Sequence, residues 1–172
     1  MIEAYLKHVE ERSAQGIPPR PLDAEQTKDL CRLLEQPPAG KGDFLLDLFK
    51  NRIAPGVDPA AEVKAGFLAR ILTGSATSPL ISERLAIEIL GTMLGGYNVA
   101  PLCAALTNPR LAELAGQALC GLLQVYDAFD EVFALSKENA IARQVVLSWA
   151  NADWFTRRPA LPETISVKVF KV

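Results

Sequence analysis

The side chains that could do chemistry are few and scattered. His8 is the single histidine among 172 residues and sits on the polar side of the first helical pattern, with Glu10 and Glu11 near it. An imidazole can act as a general base near neutral pH, but no second His, Cys pair or dense carboxylate set accompanies it, so the pattern assigns it to a solvated surface. Cys31, Cys103 and Cys120 lie far apart within helical patterns, with no CxxC and no Cys/His pair at ligand spacing. Neither a zinc site nor a Cys-His nucleophile can be assembled from them. An odd number of thiols suits a reducing compartment, each acting as a small apolar filler.

Asp127, Asp130 and Glu131 cluster in an aromatic segment. Paired carboxylates can exchange protons, but no electrophile or metal is brought to these, and a solvated helix face is the reading. Gly91, Gly95 and Gly96 resemble a phosphate loop only superficially, because no Lys-Ser/Thr pair follows and no strand precedes them. They are assigned to a turn and to close helix packing. Arg157 and Arg158, after Trp154 and Phe155, form a basic-aromatic corner that could meet RNA or an acidic partner, with Lys41, Lys50, Arg52, Lys64 and Arg70 as cations that could gather near it. A net charge of -2 and the absence of an RNA-binding signature weigh against a specific nucleic-acid site. On the residues alone, no catalytic, cofactor-binding or metal-binding set is present.

The elements that hold these residues are helices. The chain is 49% hydrophobic and 22% charged, a globular composition, and its length suffices for one core. Its organising stretch is Leu90 to Leu122: a helix end, a Gly-Gly break, a second helix, an Asn-Pro corner and a third helix. In that third helix Leu111, Leu114, Ala115, Ala118, Leu119 and Leu122 form one apolar stripe, while Ala112, Gly116, Cys120 and Gly121 keep the opposite face small. Such a helix is expected to be sandwiched between others.

Elsewhere Ile2, Leu6 and Val9 predict a first helix that ends at Gly16, followed by the proline loop GIPPRPL. Asp23 with Gln26 predicts a capping box, Asp58-Pro59 and Ser82 predict helix starts, and Gly74 a left-handed stop. Arg84 and Glu88 form an exposed i, i+4 pair. Asn98 is assigned as the cap of VAPLCAAL, and Asn108-Pro109 as the start of the Leu111 helix. VYDAFDEVFALSK and ENAIARQVVLSWANADWF complete roughly nine helices joined by Pro/Gly corners, a HEAT-like helical-hairpin array or α-solenoid in an all-α fold. ETISVKVFKV then alternates apolar and polar residues like a β-strand. A lone strand is unstable, so either it pairs with another copy or the chain continues; the second is favoured, with residues 1–160 as the helical domain and 161–172 as the truncated start of a following domain. The N-terminus lacks the apolar core of a signal peptide and no run is long enough to span a bilayer, so the expected location is the cytoplasm.

The stretches PLDAEQ, QPPAGKGDFLLDLFKNRIAPGVDPAAEVKAGFLARILTG, ILGTMLGGYNVAPL and SWANADWFTRRPALPETISVKVFKV resemble the N-terminal region of the bacterial aconitase B family of bifunctional aconitate hydratases and 2-methylisocitrate dehydratases. GTMLGGYN and the ADWF..RPAL segment are its specific motifs. The resemblance implies a HEAT-like domain ahead of a swivelling domain and a catalytic core, with the terminal strand opening the swivelling domain. It implies a hydro-lyase of the tricarboxylic acid cycle that converts citrate to isocitrate through cis-aconitate. There a [4Fe-4S] cluster acts as a Lewis acid on the substrate hydroxyl. The family's cluster cysteines and substrate-holding residues lie beyond Val172, so the resemblance places no catalytic residue, cofactor or metal ligand on this chain. The implied partners are the remaining domains of the same enzyme, with homodimer or other protein contacts as further candidates. The alternatives are a stand-alone interaction adaptor and an RNA-binding regulatory module.

Overall fold

The computed structural model describes residues 1–122, 125 and 128–156. Ten helical segments run through them: α1 (Ile2–Ser13), α2 (Ala24–Glu35), α3 (Gly42–Asn51), α4 (Pro59–Leu72), α5 (Glu83–Gly91), α6 (Val99–Ala105), α7 (Ala112–Cys120), α8 (Phe129–Leu135), α9 (Ala140–Ala150) and the single turn α10 (Asp153–Thr156). The fold is all-α, and the only β feature among the described residues is an isolated parallel bridge between Leu22 and Ile53. None of the described helices is long and apolar enough to cross a membrane. The expected C-terminal strand lies outside the described residues.

Helix starts follow the local chemistry. The Asp23 carboxylate accepts from the Gln26 N–H at 2.8 Å while the Gln26 side chain accepts from the Asp23 N–H at 3.1 Å, which closes the capping box on α2. Asp58 accepts from Ala60 N–H at 2.8 Å ahead of Pro59, and Ser82 Oγ accepts from Leu85 N–H at 3.2 Å. Asn139 caps α9 by accepting from both Ile141 and Ala142. Gly16 and Gly74 take the left-handed conformation at the ends of α1 and α4.

Two expected caps are corrected. Asn98 is fully buried and turns inward, its Nδ2 donating to Leu90 O at 2.7 Å rather than its oxygen capping α6. Holding the end of α5 outweighs capping a seven-residue helix. Asn108 accepts from Arg110 N–H in a local turn, and α7 begins only at Ala112, because the 108–111 segment makes turn bonds before the helix proper. The α1 stripe also shifts: Tyr5 is buried and Leu6 exposed, since the Tyr5 hydroxyl is fixed by Arg52.

The principal contacts join each helix to those one or two places away along the chain: α2 to α3 and α4, α4 to α5 and α6, α7 to α5, α6 and α9, and α8 to α9. The core therefore propagates along the sequence, with Phe49 and Phe67 in edge-to-face contact at 5.7 Å inside α3 and α4. The expectation for α7 holds. Leu111, Ala115, Leu119 and Leu122 are buried, and so are Ala112 and Gly116. A Cβ on Gly116 would collide with Ile141 of α9 and touch Val145 and Leu106. On the α5 side a Cβ on Gly91 would stand 3.1 Å from the Ala118 methyl. Trp149 Nε1 donates to Leu119 O at 2.8 Å and ties α9 to α7.

Gly116→Ala is expected to lower stability by about 1–2 kcal/mol in urea unfolding, overpacking outweighing the gain in helix propensity. Adding Ile141→Leu, which removes the β-branch in the way, should recover part of the loss. Gly66→Ala, in α4 with open space around it, should instead raise stability by about 0.5–1 kcal/mol.

Candidate functional site

The residues with chemical potential are dispersed and mostly committed to structure. His8 is not simply solvated: its Nε2 accepts the Arg20 backbone N–H at 3.0 Å, so the imidazole pins the proline loop to α1. Arg12 Nε donates to Pro18 O at 3.0 Å in the same loop. Arg52 binds it from the other side, donating to the Tyr5 hydroxyl at 3.0 Å and to the carbonyl of Pro19. A loop with three prolines has few backbone donors; the Leu22 N–H donates to Arg52 O at 2.7 Å, and side chains supply the other long-range hydrogen bonds.

Cys31 is buried on α2, Cys103 is buried on α6, and Cys120 is half-buried at the end of α7. Burial raises the Cys31 thiol to about 12 and, with Glu131 adding to it, the Cys103 thiol to about 11. Both are held as neutral thiols, and among the described residues no three His, Cys, Asp or Glu side chains gather as a metal-binding group. These cysteines do not fit an iron-sulfur cluster, whose ligands are thiolates brought together. Asp130 and Glu131 are exposed on the first turn of α8, where the helix dipole favours them; Asp127 lies outside the described residues.

The cations that could gather have separate settings, apart from Lys50 and Lys64, which line one cavity. Arg52 is used in the loop clamp, and Arg70 pairs with Glu35 at 3.7 Å while lying over the Phe67 ring. Lys41 and Lys50 are exposed, and Arg157 and Arg158 lie outside the described residues. Lys64 is the residue that pattern reading does not single out from the other cations. It is only 4% exposed, with its Nζ above the Phe49 ring and donating to Lys50 O at 3.3 Å. Burial lowers its pKa from 10.5 to about 8. It lines a cavity of about 470 Å³ between α3, α4 and α5. A lysine within an otherwise apolar stripe, at the i-3 position from Phe67, was the available signal.

Beside that cavity two corners meet. Gly56 N–H donates to Met93 O at 3.2 Å, and a Cβ on Gly96 would come within 3.1 Å of Gly56 O, so only glycine lets the backbones approach this closely. The junction carries Val57, Leu94 and Tyr97, which are 78%, 65% and 39% exposed. Leu94 has φ +66, a left-handed conformation that costs a leucine about 1–2 kcal/mol. A strained backbone that presents an apolar side chain to solvent is a feature of contact sites.

Residues 4–155 match the family described as Aconitate B N-terminal domain. This chain belongs to that family. Over 173 residues it is 54% identical to the aconitate hydratase B of Pseudomonas aeruginosa and 55% identical to that of Escherichia coli, in each case across 100% of the chain. The aconitate hydratase B of Helicobacter pylori is 43% identical across 99% of it. The chain spans about a fifth of the length of these relatives, 20% in each. The family resemblance read from GTMLGGYN is thus borne out, and this motif forms the strained corner.

Two outcomes test the site chemistry. Below about pH 8 native and unfolded chains both hold the Lys64 proton; between about 8 and 10.5 the unfolded chain holds more, so stability at this site rises with pH. The urea midpoint of Lys64→Met should therefore exceed that of the parent by most below pH 8, with the gap narrowing towards pH 10.5. With a thiol reagent under native conditions, Cys120 should react first, Cys31 and Cys103 more than roughly tenfold slower.

Proposed function

We propose that the chain is the non-catalytic helical domain at the N-terminal end of an aconitate hydratase, contributing contacts to the remaining domains and shaping access to their active site. The observation that carries this reading is the match of the whole chain to a fifth of each aconitate hydratase B relative, under a family description that sets it at the N-terminal end. On this reading the helical domain comprises residues 1–160, and residues 161–172 open the swivelling domain. The reaction, citrate to isocitrate through cis-aconitate with 2-methylisocitrate dehydration as the related activity, belongs to the parent enzyme, as does its [4Fe-4S] cluster.

The chain's own contribution is mechanical. A stack whose polar side chains are spent on internal ties makes a stiff support, and the Val57, Leu94 and Tyr97 corner supplies an apolar contact that becomes favourable once covered. Positioning a domain over an active site acts on substrate entry and product release.

The isolated chain should fold, show no aconitase activity and bind no iron stoichiometrically. In the full-length enzyme, Leu94→Asn with Tyr97→Ser should lower kcat/KM for citrate by roughly threefold or more through substrate entry. In the isolated chain the same pair should leave stability within about 1 kcal/mol, because asparagine tolerates the left-handed backbone. Aconitase turnover by the purified isolated chain would refute the reading, and unchanged kinetics in the double variant would refute the role of the corner.

A further inference from the structure

The Lys64 ammonium donates one proton to Lys50 O and has no carboxylate within ion-pair distance among the described residues. A buried cation without an anion is costly, and the Phe49 ring compensates only partly. Two of its three donors have no protein acceptor among the described residues, and Lys64 forms part of the cavity wall. The other ionisable groups on that wall are Lys50 from α3 and Glu88 from α5, and Glu88 is already paired with Arg84 at 3.0 Å. The local balance is therefore positive. Ile53, Leu85, Ile89 and Met93 give the lining an apolar side, with Asn51 and Thr92 as its uncharged polar members, and about 470 Å³ is the size of a small-molecule site.

We propose that this cavity binds a small monocarboxylate, its carboxylate on the Lys64 ammonium and its alkyl chain against Ile53, Leu85 and Ile89. One buried ammonium balances a single negative charge, and Glu88 on the same wall disfavours a dianion, so a monocarboxylate suits the site better than a doubly charged phosphate. The apolar lining requires a tail, which separates this ligand from a simple inorganic anion. Charge pairing would raise the proton affinity of Lys64, so the ligand should bind best where the free lysine is still protonated.

The test is a titration of the 172-residue chain with sodium butyrate, followed by amide NMR shifts at constant ionic strength. Butyramide serves as the neutral isostere and sodium chloride as the anion without a tail. Butyrate is expected to move the amides of the cavity walls, with butyramide and chloride leaving them in place. Lys64→Met should weaken butyrate binding at least roughly tenfold, whereas Lys41→Met, which removes an exposed cation away from the cavity wall, should change it less than about threefold. Binding should fall off above pH 8, following the lowered pKa of Lys64. Equal shifts with butyramide, no cavity shifts with butyrate, or undiminished binding to Lys64→Met would each overturn the proposal. Should Lys64→Met fail to fold, the comparison of butyrate with butyramide on the parent chain decides by itself.

Discussion

A missing methyl group sets the spacing of the stack. With only hydrogen on its α-carbon, Gly116 lets α9 bring Ile141 and Val145 against α7. Gly91 allows α5 to meet Ala118 of α7 in the same way. Helices at such short range exchange many dispersion contacts and leave no room for water. The Trp149–Leu119 hydrogen bond then fixes their relative slide. Since α7 also packs on α6, the arrangement of four helices depends on its small face.

The same economy governs the polar groups. Side chains tie the corners down: Arg52 and Arg12 donate to carbonyls of the proline loop before α2, His8 accepts from the Arg20 N–H of that loop, and Asn98 donates to the end of α5. Residues that would signal catalysis or nucleic-acid binding on an open surface are thereby spent on internal ties. Two features stand apart: the apolar corner, where the chain tolerates a left-handed leucine, and the cavity beside it, where it tolerates a buried ammonium. The exposed apolar corner and the unpaired ammonium are each costly within this chain alone, and a partner over the first or an anion beside the second would offset part of that cost. The two lie side by side because Ile53, Pro55 and Met93 belong to the cavity wall and lead directly into the corner.

Local chemistry was legible residue by residue. The capping box at Asp23, the Asp58-Pro59 and Ser82 starts, the stops at Gly16 and Gly74, and the stripe through α7 each follow from interactions within a few residues. The family was legible too, because GTMLGGYN combines glycines needed for a close crossing with side chains placed on it. The inward turn of Asn98, the loop clamp of Arg52 and the burial of Lys64 were not. Their partners are set by packing between elements, and the same side chain is solvated or buried according to which helix arrives opposite. The sequence by itself determined most helix starts and stops, the Asn98 and Asn108 caps excepted, most apolar faces and which family the chain joins, since short-range sterics and hydrogen bonding decide the first two and the motifs carry the third. Only the tertiary structure decided which polar groups were withdrawn from solvent, because the cost of burying them depends on contacts that local spacing does not encode.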